Sequence, residues 1–330
     1  MSRLSLSLAI GDYDRNRPLL DGAVRIDGVE IVPMMLTPEE IFFRSFRDEA
    51  FDICELSLSS MSLKTAQGTP AYVGVPAFVS RAFRHTSIYI RTDRGIRTPQ
   101  DLKGRRIGLP EYQLTACVWV RALLDEDYGV RPSDVTWVRG GIVDPSRVEK
   151  IAIELPPEIR LEAAPAGKSL DMLLQDGEID AYIGPRAPPC FERGHPEVAR
   201  LFADPTALAQ DYYRRTGIFP IMHLIGVRRS LVEAHPWLPA TVLKAFEQSK
   251  AMALAKLADT SATKVTLPFV EEQLAAARDL MGPDFWSYGF APNKAGLDNF
   301  LEHHHRQGLS KRRVRPEELF HPSTLDGFKL

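Results

Sequence analysis

The sequence predicts an α/β protein of two lobes joined by a hinge, with a cleft between the lobes. The chain has 330 residues, which is more than one ordinary core holds. Short apolar runs typical of buried strands alternate with segments that have helical spacing. The order of these elements predicts that the chain crosses between the lobes twice. Lobe one is expected to hold residues 1–91 and 219–330, and lobe two residues 92–218.

The composition is that of an ordinary globular protein. Hydrophobic residues make up 44% and charged residues 25% of the chain, and the net charge is −2. This balance gives no reason to expect nucleic acid or a membrane surface as a partner. Three cysteines (Cys54, Cys117, Cys190) lie far apart, so we expect buried, reduced thiols rather than disulfides or a catalytic thiol.

The N-terminus is predicted to begin with a strand, Leu4–Ile10, because apolar residues alternate there with small ones. The apolar core and the small-residue cleavage site of a secretory leader do not precede Gly11. No apolar run in the sequence approaches the length of a membrane span. We therefore expect a cytoplasmic protein without a removed leader.

The elements of lobe one follow from local signals. Thr37 is suited to cap a helix N-terminus, and Pro38 suits the first helical position. Alternating or uninterrupted apolar residues predict strands. These strands are Leu4–Ile10, Val29–Pro33, Phe51–Glu55, Ala71–Phe78 and Thr86–Ile90.

The remaining elements follow from the same signals. Lobe two is predicted to contain a short helix after Thr98, strands at Arg105–Leu109, Val135–Val138 and Ile179–Gly184, and helices ending near Tyr128 and at Ser169–Gln175. The Pro- and Glu-rich segment Ile151–Ala166 is predicted to be an irregular connection with a short strand. The chain then returns through a strand-like run at Ile218–Val227. Helices are predicted at Ala240–Leu257, Phe269–Met281 and Leu297–Gln307, with the histidines His303, His304 and His305 forming a solvated helix end.

Polar and titratable side chains stand at the ends of the predicted strands. In open α/β sheets, ligands bind just beyond the carboxyl ends of strands. The residues in such places between Phe51 and Arg91 are Glu55, Ser57, Ser59, Ser60, Arg81, Arg84 and His85. We therefore predict that this segment forms one wall of a polar binding site.

Several phrases of the sequence resemble known families. The phrase TPQDLKGRRIGLPEY, with the two-lobed order, resembles the type 2 periplasmic-binding-protein fold. Seven phrases in order resemble the 4,5-dihydroxyphthalate decarboxylase family, from about residue 4 to about residue 324. They are GDYDRNRPLLDG, FDICELSLSS, SRAFRHTSIYIRTDRGI, GLPEYQLTACVWVR, DAYIGPRAP, YYRRTGIFPIMH and MGPDFWSYG.

This resemblance implies a carboxy-lyase of aromatic compound degradation, acting in phthalate catabolism. Such an enzyme removes one carboxylate from 4,5-dihydroxyphthalate and gives protocatechuate and CO2. Two alternatives stay open. One is a non-catalytic solute-binding protein for an aromatic acid, and the other is an enzyme of the same scaffold that acts on another carboxylated substrate.

The implied substrate requires cations for two adjacent carboxylates, and arginine matches a carboxylate in bidentate fashion. The candidate cations at strand ends or lobe junctions are Arg15, Arg81, Arg84, Arg186 and Arg215. Hydrogen-bonding candidates are Ser57, Ser59 and Asp12. The alternative for the arginines is an ordinary surface ion pair, and for Ser57 and Ser59 it is capping of the helix that begins near Ser60.

The implied reaction also requires an acid that protonates the ring carbon and a base for the catechol oxygens. His85 and His223 are candidate proton carriers because imidazole titrates near neutral pH. Each is alternatively a satisfied structural histidine. Glu55 and Glu111 follow strands closely, so either is a candidate acid, base or metal ligand.

No sequence spacing links these side chains into a metal motif. We therefore expect no cofactor, while a divalent metal on the catechol stays an open alternative. The expected ligand is a small aromatic carboxylate, and assembly into a homo-oligomer is left open.

Overall fold

The structure is a computed structural model that describes residues 3–326. The chain divides into two compact units. Unit 1 consists of Met1–Arg81, Tyr213–Asp298 and Arg315–Leu330, and unit 2 of Ala82–Tyr212 and Asn299–Val314. The segment 299–314 therefore packs in unit 2, whereas the sequence assigns it to the lobe that contains the N-terminus.

Eleven strands form within residues 3–326, and all but one, Val198–Arg200, correspond to expected strands. The strands are β1 Leu4–Ile10, β2 Val29–Met35, β3 Ile53–Ser57, β4 Tyr72–Arg81, β5 Ile88–Arg91, β6 Arg106–Leu109, β7 Thr136–Arg139, β8 Arg160–Ala163, β9 Ala181–Ile183, β10 Val198–Arg200 and β11 Ile221–Arg228. The short strand expected within Ile151–Ala166 is confirmed as β8.

Eleven α-helices form in the same part of the chain. They are α1 Arg17–Leu20, α2 Pro38–Asp48, α3 Leu58–Ala66, α4 Thr115–Tyr128, α5 Leu170–Gln175, α6 Pro189–Glu192, α7 Pro205–Thr216, α8 Arg229–Ala234, α9 Leu238–Leu257, α10 Val270–Met281 and α11 Lys294–Arg306. The predicted cap of α2 is confirmed, since the Thr37 hydroxyl accepts a hydrogen bond from the Glu40 N–H at 3.4 Å.

Unit 1 is built on a five-stranded sheet with the order β2-β1-β3-β11-β4. Strands β1, β2 and β3 are parallel, and β11 runs antiparallel to both of its neighbours, β3 and β4. All five residues of β3 are buried, because the strand lies in the middle of the sheet. Its polar residues must therefore find hydrogen-bond partners inside the protein.

Unit 2 is built on a six-stranded sheet with the order β10-β5-β9-β6-β7-β8. Strands β9, β6, β7 and β8 are parallel, and β5 is antiparallel to its two neighbours. Apolar side chains from this sheet, including Tyr89 and Val138, pack with Leu173 and Leu174 of α5 in a buried core.

Two expectations about elements are wrong. The sequence places Arg215 at a strand end or lobe junction, whereas Arg214 and Arg215 lie in the last turn of helix α7. The histidines of α11 do not form a solvated helix end, because His303 and His304 are 1% and 0% exposed. The His303 imidazole instead lies 2.7 Å from the Glu126 carboxylate within unit 2. Burial of segment 299–314 against α4, which the sequence does not reveal, accounts for this difference.

Within residues 3–326, no helix is both long and apolar enough to span a membrane.

Candidate active site

The register of the unit 1 sheet brings Glu55 and His223 together. Glu55 of β3 lies directly opposite Ile225 of β11, and His223 precedes Ile225 by two residues. Side chains two residues apart on a strand point to the same face, so Glu55 and His223 are diagonal neighbours on that face. The His223 Nδ1 lies 2.5 Å from the Glu55 Oε1.

Glu55 is fully buried and accepts two further hydrogen bonds. The Gly11 N–H donates to Oε2 at 3.0 Å, and the Tyr13 hydroxyl donates to Oε1 at 2.9 Å. Burial alone would raise the pKa of Glu55, but hydrogen bonds from His223, Gly11 and Tyr13 outweigh it, so this pKa lies below its ordinary value. Glu55 is therefore an ionised carboxylate at neutral pH.

The ionised carboxylate determines the tautomer of His223. A carboxylate only accepts hydrogen bonds, so the short contact assigns the proton to the His223 Nδ1. The ring edge of Phe42 packs against the imidazole at a centroid distance of 4.8 Å and restricts its rotation. The His223 side chain keeps 18% of its surface exposed. Nε2 is thus the ring atom that is left to exchange a proton.

The loop after β1 is built around the Tyr13 hydroxyl. A Cβ atom at Gly11 would lie 2.5 Å from the Tyr13 ring, so glycine is required for this close approach. The same burial and the neighbouring Glu55 charge raise the pKa of Tyr13, which keeps its hydroxyl protonated as a donor. The loop thus holds two of the three donors to Glu55.

Arg15 is held firmly in the same loop. Its guanidinium stacks on the rings of Tyr13 and Trp286 at 4.5 and 4.2 Å. Its Nε donates to the Val79 carbonyl at 2.8 Å, and its Nη1 pairs with Asp14 at 3.1 Å. Arg15 is therefore a positioned cation beside Tyr13 and stays a candidate for binding a carboxylate.

The other unit 1 candidates are more dispersed. Ser57 caps α3, as expected from the alternative reading, because its hydroxyl accepts from the Ser60 N–H at 3.4 Å. Ser59 is buried in the first turn of α3. Asp12 is exposed and pairs with the exposed Arg17. Arg215 is exposed on α7 rather than at a strand end.

Arg81, at the end of β4, is 8% exposed and donates to neutral oxygens. Its Nη1 donates to the Phe219 carbonyl at 2.8 Å, and its Nη2 donates to the Ser287 carbonyl at 2.6 Å and to the Asn293 side chain. Arg81 lines a cavity whose wall contains neither Glu55 nor His223.

In unit 2, Glu111 follows β6 and is fully buried between two cations. Its Oε1 accepts from the Arg147 guanidinium at 2.7 Å, and its Oε2 accepts from the Lys150 ammonium at 2.6 Å. The Lys150 side chain is only 2% exposed. Both carboxylate oxygens of Glu111 accept hydrogen bonds from cations. Because Arg147 and Lys150 together carry one more charge than Glu111, this group of three is net positive beyond the end of β6.

Arg84, Glu111 and Lys150 of unit 2 each act electrostatically on the Cys117 thiol. Burial lowers the pKa of Arg84 to about 10, which still leaves it cationic at neutral pH. Burial raises the pKa of Cys117 to about 11, although Arg121, Arg84 and Lys150 oppose the rise. The Cys117 thiol is therefore protonated at neutral pH and is a poor nucleophile.

The two remaining candidates lie in different surroundings of unit 2. His85 is 3% exposed and packs against the rings of Phe202 and Tyr212 at 5.9 and 5.8 Å, which favours a structural role. Arg186 follows β9, is exposed, and acts electrostatically on the buried Tyr182 hydroxyl. Catalysis by His85 and substrate binding by Arg186 stay predictions.

Four groups that the sequence does not single out belong to these clusters. Tyr13 and the Gly11 N–H complete the shell around Glu55, and Arg147 and Lys150 complete the shell around Glu111. The phrase GDYDR after β1 is the only sequence signal for the first two, because polar loops at strand ends carry ligand contacts. Arg147 and Lys150 follow no strand and therefore carry no such signal.

Across residues 3–326, no group of three or more His, Cys, Asp and Glu side chains is arranged to hold a metal ion. Glu55 and His223 provide two adjacent groups of the right chemistry, so a metal there would require ligands from the substrate or water. The expectation that no cofactor is needed stays a prediction.

Comparison with known proteins gives two close relatives. The chain is similar to a 4,5-dihydroxyphthalate decarboxylase of Comamonas testosteroni, with 62% identity over 330 residues that cover both chains completely. A 4,5-dihydroxyphthalate decarboxylase of Pseudomonas putida is 60% identical over 214 residues, which cover 65% of this chain and 83% of the relative. The family described as NMT1/THI5 like matches residues 51–150.

Solved structures show the fold. A periplasmic aliphatic sulphonate-binding protein of Escherichia coli is similar, with a TM-score of 0.56, 13% identity, and coverage of 98% of this chain and 99% of that chain. An alkanesulfonate-binding protein of Xanthomonas axonopodis has a TM-score of 0.52, 15% identity, and coverage of 98% of each chain. The predicted α/β fold of periplasmic binding proteins is therefore confirmed.

Proposed function

Because the chain belongs to the 4,5-dihydroxyphthalate decarboxylase family, we propose that it removes one carboxylate from 4,5-dihydroxyphthalate. Loss of CO2 from this ring leaves 3,4-dihydroxybenzoate, which is protocatechuate. The observation that carries the proposal is the full-length likeness to the Comamonas testosteroni enzyme. The reaction is that of a carboxy-lyase.

The chemistry defines what the protein must supply. Direct loss of CO2 would leave an unstable aryl carbanion, so a proton is first added to the ring carbon that bears the departing carboxylate. The hydroxyl para to that carbon releases electrons as its own proton leaves. The bond to the carboxylate then breaks, its electron pair returns to the ring, and the hydroxyl regains a proton. Each turnover thus transfers one proton to carbon.

The Glu55–His223 pair of unit 1 supports this proton transfer. Glu55 accepts a hydrogen bond from the His223 Nδ1–H, so its negative charge stabilises a positive charge on the imidazole. His223 is then able to carry a proton at Nε2 to carbon or from a catechol oxygen. The shell of Gly11 and Tyr13 keeps Glu55 ionised and fixed during this transfer.

The cations of unit 2 support binding of the carboxylates. Arg84 and Lys150 both act electrostatically on Cys117, and Glu111 holds Lys150 and Arg147 in place. Arginine and lysine recognise carboxylates through charge-assisted hydrogen bonds. Within unit 2 these cations are suited to bind a carboxylate, and within unit 1 the Glu55–His223 pair is suited to transfer a proton.

The test is to incubate the purified chain with 4,5-dihydroxyphthalate and to measure CO2 and protocatechuate together. The wild type is expected to form the two products in equal amounts. His223→Asn should lower kcat by about 10²- to 10⁴-fold, the usual contribution of one acid–base group. Arg84→Gln should instead raise KM, by about 10- to 100-fold for a lost charged hydrogen bond.

Matched variants separate these effects from general damage. His235→Asn changes a histidine of unit 1 that has no contact with Glu55, and Arg131→Gln changes an exposed arginine of unit 2. Both should retain wild-type kinetics. If the wild type forms no product with or without added divalent metal, the proposed reaction is wrong. Binding without turnover would then favour a solute-binding role.

Three expectations stay proposals beside this function. They are the cytoplasmic location, assembly into a homo-oligomer, and activity without a bound cofactor.

A further inference from the structure

A cavity of about 290 Å³ is lined by residues of unit 1, and neither Glu55 nor His223 is among them. Residues from the end of α7, from the segment around Phe285 and from the start of α11 form its wall. Arg81 and Asp284 are the charged side chains that line it. All of the residues that line this cavity belong to unit 1.

Arg81 brings a buried positive charge to this cavity. Burial lowers the pKa of Arg81 to about 10, so the guanidinium stays cationic at neutral pH. Three of its five N–H donors bond to neutral oxygens, and its Nε has no acceptor within the part of the chain that the structure describes.

Asp284 acts electrostatically on Arg81 but does not form an ion pair with it. No Asp or Glu among residues 3–326 lies within ion-pair distance of Arg81, and the neighbouring Asp284 pairs with Lys250 at 3.0 Å. A buried charge without a partner is costly, and an anion that enters the cavity would reduce this cost. The cavity is therefore suited to a ligand with one negative charge.

The rest of the wall indicates what the ligand carries besides its charge. Apolar side chains line the cavity, among them the rings of Phe219 and Phe285 and the side chains of Ile218 and Met281. Flat aromatic surfaces favour an aromatic ligand through stacked or edge contacts. We propose that this cavity binds an aromatic monocarboxylate whose carboxylate meets Arg81 and whose ring packs on Phe219 and Phe285.

A second carboxylate would find no second unpaired cation in this wall, so a dicarboxylate is disfavoured. The product of the proposed reaction is an aromatic monocarboxylate. A role of the cavity in binding that product therefore rests on the proposed function. The cavity would then hold product on residues other than Glu55 and His223. Binding itself does not depend on the reaction.

The experiment follows the Arg81 Nε–H signal by NMR in 15N-labelled full-length protein. The signal is assigned by its loss in Arg81→Lys. Benzoate is expected to shift this signal to saturation, whereas benzamide, its neutral analogue, should bind at least tenfold more weakly. Ala295→Phe should abolish the shift, since Ala295 lines the cavity at an exposed position where a larger side chain fills space without entering the core.

Ala275→Phe is the matched control, because Ala275 is exposed on α10 of the same unit and does not line the cavity. This variant should respond to benzoate as the wild type does. The inference is overturned if benzoate leaves the signal unchanged, if benzamide acts equally well, or if the shift survives in Ala295→Phe. Loss of the shift in Ala275→Phe also overturns it. None of these measurements needs turnover, so failure of the proposed reaction would leave this test intact.

Discussion

Glu55 shows how a single buried residue organises the unit 1 cluster. It is fully buried in a central strand, yet its charge is kept because His223, Gly11 and Tyr13 each donate a hydrogen bond to it. Hydrogen bonds to an ionised group are worth about 1.5–3 kcal/mol each. Together they offset the cost of burying the charge. Loss of any one of these donors should therefore raise the pKa of Glu55.

Tyr13→Phe tests this conclusion. The change removes one donor to Glu55, so we expect the pKa of Glu55 to rise and the acid limb of the kcat/KM profile to move to higher pH. The free energy of unfolding should fall by about 1.5–3 kcal/mol. Activity measured from pH 4 to 8, with denaturant titration beside it, checks both effects.

Tyr72→Phe is the control for Tyr13→Phe. The Tyr72 hydroxyl donates to the Phe51 carbonyl at 3.0 Å in the same unit but does not contact Glu55. This variant should lose stability without moving the pH profile. An unchanged profile in Tyr13→Phe would show that Tyr13 serves only the fold.

The Glu111–Lys150 pair gives a second prediction. Removal of one partner from a buried ion pair leaves an uncompensated charge and costs about 3–5 kcal/mol. Lys150→Met should therefore destabilise the protein strongly in denaturant titration, with the remaining Arg147 contact placing the loss near the lower value. Lys311→Met should have almost no effect, because Lys311 and Glu154 are 87% and 83% exposed. Equal losses in the two variants would contradict the assigned burial.

The sequence predicts the single residues of the site better than their partners. Glu55 and His223 are both candidates because each belongs to a predicted strand, and strand patterns are local. Their pairing depends on the register between β3 and β11, which joins segments 168 residues apart. Lys150 lies in a connection without any regular pattern. The ion pair of Lys150 with Glu111 therefore depends on the folded path of that connection, which the sequence does not predict.

At the scale of elements, helix caps account for the accurate boundaries. Thr37 and Ser57 each accept a hydrogen bond from an N–H in the first turn of their helices, and such caps contribute about 1 kcal/mol. The sequence does not predict helix α7, because the polar residues at the end of this helix resemble a loop that precedes an apolar strand. The exposed position of Arg215 follows from that helix.

Comparison of Ser57→Ala with Thr37→Ala separates capping from substrate binding. Both variants should lose about 1 kcal/mol in free energy of unfolding, since each removes one cap. If Ser57 also binds substrate, as the sequence predicts, KM should rise in Ser57→Ala alone. Steady-state kinetics beside thermal unfolding measure this difference. Equal KM values in the two variants would limit Ser57 to its cap.

At the scale of the whole molecule, the charge of Glu55 links folding to pH. Its pKa lies below the ordinary 4.5 in the folded state, so ionised Glu55 stabilises the fold above pH 4.5. This contribution is lost as the pH falls through the lower folded-state pKa. The difference in free energy of unfolding between wild type and Glu55→Gln should therefore narrow below pH 4.5. Denaturant titrations from pH 3 to 7 measure it, and parallel curves would contradict the prediction.

The fold class is predictable from sequence because strand and helix patterns alternate along the chain and the family phrases occur in order. The division into units is less predictable. The segment 299–314 joins unit 2 through contacts such as those of Gln307 with Arg121 and of His303 with Glu126. These contacts connect residues more than 170 positions apart in the sequence, so no local sequence pattern predicts them.

The position of segment 299–314 near the C-terminus affects how the chain folds during translation. Residues 82–212 leave the exit tunnel early, but the Gln307 side chain that accepts a hydrogen bond from the buried Arg121 has not yet been made. Neither unit has all of its parts until the last tenth of the chain is translated. Truncation shortly before residue 299 should therefore yield a nascent chain that chaperones retain, even though every strand of both sheets is already present.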